Sequence, residues 1–147
     1  MISGTVKYKG KDIDPVSKER VDRALKTAVL NAYGDVMIRV WNEQGATLTS
    51  GRKAGRYKNL AYLKRRAKYY KRKNLNINVT LTGDMSRNFK WERRGWNLYV
   101  MGFGEMGNRS NVSNAEKYRH LSDRFGHFVH LTQEELKTFK QVYTASL

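Results

Sequence analysis

An α+β fold is what this 147-residue sequence predicts, and three observations carry it. A long run of apolar residues at three- and four-residue spacing follows Asp14-Pro15. Helical spacing then gives way to strand alternation around Phe89 and Trp91. Near the C-terminus, Ser113 with Glu116 and Thr132 with Glu135 have the spacing of two capping boxes. These signals imply a long N-terminal helix and further helices packed on a small antiparallel sheet that contains a central hairpin, with extended arms and loops, all in a single domain spanning residues 1–147.

Taken in order, Thr5, Val6 and Tyr8 followed by Lys9-Gly10-Lys11 suit an N-terminal arm or edge strand over residues 1–13. Asp14 can accept from the first free N–H groups of a helix, and Pro15 at the first helical position has no N–H to leave unsatisfied. Val21, Leu25, Ala28, Val29, Ala32, Val36 and Val40, with Trp41 beside them, then share a face, and Gly45 offers a left-handed stop. The predicted helix covers roughly residues 15–44. Residues 46–56 are small, polar and glycine-rich without periodicity, and read as a flexible basic loop.

From Tyr57 to Lys73, Leu60, Leu63, Ala67 and Tyr70 recur at helical spacing with Lys and Arg around most of the remaining circumference, as in a basic amphipathic helix. Asn74-Leu75-Asn76-Ile77-Asn78 breaks it. Thr82 can cap a short turn in which Met85 and Phe89 share a face, and Phe89, Trp91 and Arg93 then alternate towards a second run of Trp96, Leu98 and Val100. Arg94-Gly95 supplies a residue able to take positive φ, so the two runs pair as a hairpin. Residues 102–112 form a glycine-rich loop that lacks the strand-loop-helix frame and the Lys-Ser/Thr of a nucleotide site. A helix over roughly residues 114–125 ends at Gly126, and a last helix starts from Thr132, with Leu131 and Leu136 as a hydrophobic staple and Leu136, Phe139 and Tyr143 as its buried stripe.

The net charge of +16 is unevenly placed. No acidic side chain occurs between Glu43 and Asp84, where Arg52, Lys53, Arg56, Lys58, Lys64, Arg65, Arg66, Lys68, Lys71, Arg72 and Lys73 all fall. Such a field draws in nucleic acid or an acidic protein surface. Tyr57, Tyr62, Tyr69 and Tyr70 interleave with these cations and could stack on bases, although helical spacing alone also places Leu60, Leu63, Ala67 and Tyr70 in a core or interface. The contact set for DNA or an acidic partner is therefore Arg52, Lys53, Arg56, Lys64, Arg65, Arg66, Lys68, Lys71, Arg72 and Lys73. Trp41, Met85, Phe89, Trp91, Trp96 and Phe103 are the packing or interface anchors.

With no cysteine there is neither a disulfide framework nor a thiolate metal site. His120, His127 and His130 match no closed zinc spacing, the carboxylates form no acid-base pair, and no serine sits in a Gly-x-Ser-x-Gly turn. The expectation is a protein that is not an enzyme and takes no cofactor. Nowhere do eighteen apolar residues follow one another and the first residues lack a secretory leader, so no membrane partner is expected.

The order of these parts resembles tailed-phage neck proteins of the head–tail connector or tail-completion class, over about two thirds of the chain by pattern. Leu81-Thr82-Gly83-Asp84-Met85-Ser86-Arg87-Asn88-Phe89 resembles their Thr-Gly-x-Leu-x-x-Ser step, with Met85 where Leu is usual. The run from Ala115 to Leu131, including Arg124-Phe125-Gly126, is similar to the stretch that follows their hairpin. The dense cations of 52–73 depart from that pattern. The resemblance implies a structural virion protein, assembled in the host cytoplasm into a ring-shaped neck that joins a DNA-filled capsid to the tail. Its partners would be copies of itself, portal or adaptor and tail proteins, and packaged DNA. Two alternatives stand beside it: a small basic nucleic-acid-binding protein that uses the 52–73 helix, and a minor tail or baseplate component.

Overall fold

The computed structural model describes residues 17–42, 44–78, 84–104 and 112–147. The N-terminal arm, Asp14-Pro15, the Thr82 cap and most of the glycine-rich loop lie outside the described residues. Along the chain run α1 (Lys18–Val40), α2 (Leu60–Tyr70), the short α3 (Asp84–Asn88), β1 (Phe89–Gly95), β2 (Leu98–Phe103), α4 (Asn114–Phe125) and α5 (Gln133–Ser146). The fold is α+β, as the sequence predicts.

Helix α1 starts and stops inside its predicted bounds. Ser17 is its N-cap, the hydroxyl accepting from the Arg20 N–H at 3.2 Å. The helix ends because Trp41 leaves helical geometry, its ring lying 5.3 Å from Phe89 and 6.4 Å from Phe103. Gly45 is not the stop. It takes φ +107° in the following turn, where a Cβ would come within 3.1 Å of Asn76.

Loop 46–56, which the sequence marks as a flexible basic loop, is crossed by backbone hydrogen bonds. Leu48 N–H donates to Arg52 C=O at 2.7 Å and Ala54 N–H to Ala46 C=O at 2.9 Å, while Ala46 and Leu48 are buried. Ala46, Leu48 and Ala54 in a polar stretch are too few to give a periodic signal, yet Leu48 and Ala54 fix the loop to the core.

The hairpin pairs Phe89 with Phe103 and Trp91 with Met101, then slips at Arg94, a bulge that brings Gly95 opposite Leu98. Trp96 and Asn97 form the turn, and the positive φ falls on Asn97, at 56°, instead of Gly95. Asn tolerates this left-handed conformation better than other residues with a Cβ. The turn is bound to α1 through Asp22, which accepts from Asn97 N–H at 3.2 Å and the Tyr99 hydroxyl at 3.1 Å and pairs with Arg93 at 3.3 Å.

The core sits where α1, the hairpin and the segment after α4 meet. Val36, Val40, Leu48, Phe89 and Phe128 are buried there, ringed by Trp41, Met101, Phe103, Tyr118 and Leu121. Burial of each large aliphatic or aromatic side chain of this kind contributes about 1.5–3 kcal/mol. A chain of ring contacts runs from Tyr33 through Phe89 and Phe103 to Tyr118 and Phe128. Met85 and Phe89 are both buried, so the shared face read from their spacing points inward. Helix α4 keeps its predicted bounds and α5 starts where predicted. Ser113 caps α4, Gly126 closes it with φ +103°, and Thr132 and Glu135 form a full capping box on α5. The stripe of Leu136, Phe139 and Tyr143 is half-buried.

Arg39, in the last turn of α1, ties these pieces together. Its Nε donates to Glu135 Oε1 at 2.6 Å and its Nη2 to Glu135 Oε2 at 3.2 Å. Nη1 donates to the carbonyls of Thr47 (2.6 Å) and Phe128 (2.7 Å), and Nη2 also to that of His130 (2.8 Å). The C-terminal end of α1 thus meets the N-terminal end of α5, and the two helices, which contact each other extensively, run antiparallel. Replacing either partner leaves the other charge almost buried, so Arg39→Met and Glu135→Gln should each lose about 3–5 kcal/mol in urea denaturation. The double variant Arg39→Met with Glu135→Leu should lose less than the sum.

Asp22 gives a pH-dependent prediction. Burial pushes its carboxyl up, but the hydrogen bonds from Asn97 and Tyr99 and the charge of Arg93 outweigh this and hold it below the ordinary 3.8. A folded-state value below the unfolded one means that its contribution is full above 3.8 and fades as pH falls through the folded value. The stability difference between the wild-type chain and Asp22→Asn should therefore shrink over that acid range in denaturation curves.

Candidate interaction surface

The cations concentrated by the sequence are carried on a lobe with its own closure. Tyr57 N–H donates to Leu75 C=O at 2.8 Å, Ile77 N–H to Gly55 C=O at 2.9 Å and Ala46 N–H to Ile77 C=O at 2.7 Å. These bonds bring the two ends of the excursion side by side, and α2 lies between them. Asn59 caps α2 by accepting from Tyr62 N–H at 3.0 Å, and Lys71 ends it in a left-handed conformation, φ 54°. The helix is shorter than the 57–73 predicted because Tyr57 and Asn74 are taken up in this closure: Tyr57 by its backbone bond, Asn74 by the acceptor it provides for Arg66.

Arg66 is the centre of the lobe and corrects the sequence reading. It is fully buried, with its guanidinium 4.3 Å above the Tyr57 ring and 5.8 Å from the Tyr62 ring. Nη1 donates to Asn74 C=O at 2.7 Å and Nη2 to Asn78 Oδ1 at 3.2 Å. A side chain so enclosed is withdrawn from any DNA or protein surface and organises the lobe from within. Leu60, one of the residues that spacing placed on the inner face, is instead strongly exposed.

The other cations stand outward. Arg52, Lys53, Arg56, Lys64, Arg65, Lys68, Lys71 and Lys73 are exposed, and Arg72 is half-buried, its N–H bonded to Arg66 C=O at 3.0 Å. On α2, Lys64, Arg65 and Lys68 lie 100–160° around the helix from Arg66, which makes them its solvent side. The salt bridges described fall elsewhere: Arg39 with Glu135, Arg87 with Asp84, Arg93 with Asp22, Arg94 with Glu92. The carboxylates thus offset part of the positive charge of the body and none of that within the lobe.

Beside the lobe runs a groove of about 870 Å³, walled on one side by the segment entering α2 and on the other by α4. Arg56 and Lys58 face Lys117 and Arg124 across it, with Ile77, Met85 and Leu121 at its apolar lining. The α4 wall was missed in the sequence reading, yet Lys117, His120, Leu121 and Arg124 have the three- and four-residue spacing of one helix face.

The aromatic anchors divide. Trp41, Phe89 and Phe103 belong to the core cluster or its rim, and Trp91 packs on Tyr99 at 5.9 Å with the Lys26 ammonium 5.9 Å from its ring. Trp96 is exposed at the hairpin turn, with Lys18 5.5 Å from its ring, and packs in no core.

His127 and His130 lie 5.2 Å apart. Burial, and then the neighbouring charge of His127, push His130 below its ordinary value. Among the described residues no three His or carboxylate side chains converge as a metal site, and no helix there is long and apolar enough to cross a membrane. No family model, curated protein or solved structure matches this chain.

The two adjacent arginines of α2 should behave in opposite ways. Arg66→Ala removes a buried hydrogen-bonded cation and should destabilise the lobe by about 2 kcal/mol, seen as a roughly thirtyfold rise in amide exchange along α2. Arg65→Ala changes an exposed side chain and should leave that exchange within about 0.5 kcal/mol of wild type.

Proposed function

We propose that this chain is a structural protein of a tailed-phage virion, one subunit of a ring-shaped neck of the head–tail connector or tail-completion class. The observation that carries the reading is the order of parts around a single core: a long helix, the Met85–Phe89 step into a hairpin, and two capped terminal helices. That is the order in the neck proteins the sequence resembles. The feature that departs from them, the dense cations, lies on a lobe closed by its own backbone hydrogen bonds, Tyr57 with Leu75 and Gly55 with Ile77.

The physical demands of a ring agree with this reading. A repeated heterologous contact needs two complementary faces on every copy. Ile38 on α1, Trp96 at the hairpin turn and Leu60 on α2 are large apolar side chains left exposed on separate elements. The cationic lobe suits either packaged DNA or an acidic neighbouring protein. A minor tail or baseplate component with the same fold would make the same demands.

A second reading, direct nucleic-acid binding inside the infected cell, is favoured by one observation: the outward Lys64, Arg65 and Lys68 face no carboxylate on their own helix. Salt separates the two. Contact with about six phosphates would cost roughly a thousandfold in affinity between 50 and 200 mM salt, whereas association through a buried apolar centre is much less sensitive.

The deciding experiment counts this chain against the major capsid protein by quantitative peptide mass spectrometry of purified, nuclease-treated virions. The expected result is a low, ring-sized copy number, and absence from particles would overturn the neck reading. The combined charge reversal Arg65→Glu with Lys68→Glu, which spares the buried Arg66, should lower the yield of joined head–tail particles while leaving thermal stability near wild type.

A further inference from the structure

We propose that the groove between α4 and the segment entering α2 receives an acidic, amphipathic peptide segment of another protein. The inference rests on the groove's own chemistry and holds whether or not the chain is a neck subunit. Its volume, about 870 Å³, accommodates several side chains. Ile77, Met85 and Leu121 offer those side chains an apolar lining, while Arg56 and Lys58 on one wall and Lys117 and Arg124 on the other supply cations along both edges.

No carboxylate lines the groove among the described residues. The two on α4, Glu116 and Asp123, lie about 140–160° around the helix from Leu121 and about 40–60° from His120, beyond the edge of the lined face rather than within it. An occupant with apolar residues on one face and carboxylates on its flanks therefore matches both the lining and the rim, as in recognition of an amphipathic segment by a groove. Purely electrostatic attraction would not need the apolar lining.

Nucleic acid fits the same groove less well. Sequence-independent strand binding relies on aromatic faces for base stacking. Here Tyr57 and Tyr62 already hold the Arg66 guanidinium, at 4.3 and 5.8 Å, and Phe125 carries that of Arg124 at 5.2 Å, which leaves His120 as the remaining ring of a lining otherwise completed by aliphatic and polar side chains.

The test uses the full chain and a fluorescein-labelled eight-residue peptide, Asp-Glu-Leu-Glu-Trp-Leu-Glu-Asp, in anisotropy titrations near physiological salt. An oligo-glutamate of equal charge and a twelve-residue thymidine oligonucleotide serve as competitors. The amphipathic peptide should bind at least about tenfold tighter than oligo-glutamate. In the wild-type chain, amide shifts on titration should centre on Ile77, Leu121 and Phe125. Arg56→Glu and Arg124→Glu should each weaken peptide binding about tenfold, whereas Lys140→Glu, an exposed change on α5, should alter it less than about twofold.

The proposal is overturned if the peptide does not bind, if oligo-glutamate binds as tightly, or if the shifts fall away from the groove. It is also overturned if the oligonucleotide displaces the peptide and binds more tightly, which would assign the groove to nucleic acid. The wild-type shift map decides the matter even if a variant fails to fold, and none of these outcomes depends on whether the chain is found in virions.

Discussion

The body of this protein depends on one side chain, Arg39, and its pairing with Glu135. Five guanidinium N–H groups in a fixed plane allow one residue to bind a carboxylate and three backbone carbonyls at once. Here those acceptors belong to α5, the loop after α1 and the segment after α4. The cation lies at the C-terminal end of α1 and the anion in the first turn of α5, so each also suits the dipole of its own helix. Glu135 Oε2 further accepts from Thr132 N–H at 2.8 Å, which makes the capping box part of the same network. The apolar core formed by Val36, Leu48, Phe89 and Phe128 is held in register by this polar clasp beside it.

Asp22 does at the other end of α1 what Arg39 does at the C-terminal end. It fixes the hairpin turn through a backbone N–H, a tyrosine hydroxyl and an arginine. A two-stranded hairpin is marginal in isolation, and this one is stabilised by lying against α1 and by the ring contacts of Phe89 and Phe103. None of the carboxylates used in these attachments lies within residues 44–83. Structural use of the anions in the body and their absence from the lobe together produce the surface on which the functional readings rest.

The lobe has its own internal order. Closure of its two ends, at Tyr57 with Leu75 and Gly55 with Ile77, requires something to fill the space beneath α2, and Arg66 fills it. A guanidinium can stack on tyrosine and donate to two oxygens in one plane, which a lysine in that place could not do. The exposed lysines and arginines of α2 are thereby held on a defined face and kept beside the groove under α4.

Sequence by itself determined the elements whose causes are local. The Ser113 cap, the Thr132–Glu135 capping box and the Gly126 stop act within a few residues; α4 keeps its predicted bounds and α5 starts where predicted. The switch of period at Phe89 likewise located the hairpin, and the charge asymmetry located the lobe. Tertiary structure alone decided the rest. Whether an arginine faces solvent or tyrosine rings depends on residues eight to twelve positions away, so Arg65 and Arg66 are alike in sequence and opposite in the fold. Val40 ends α1 because Trp41 is needed by Phe89 and Phe103, not because of the glycine downstream. Arg39 and Glu135 are 96 residues apart, and the groove joins segments from α2 and α4. Periodicity and capping report only what a segment does with its own neighbours; which distant segments enclose a charge or open a groove is set by packing, where those segments first meet.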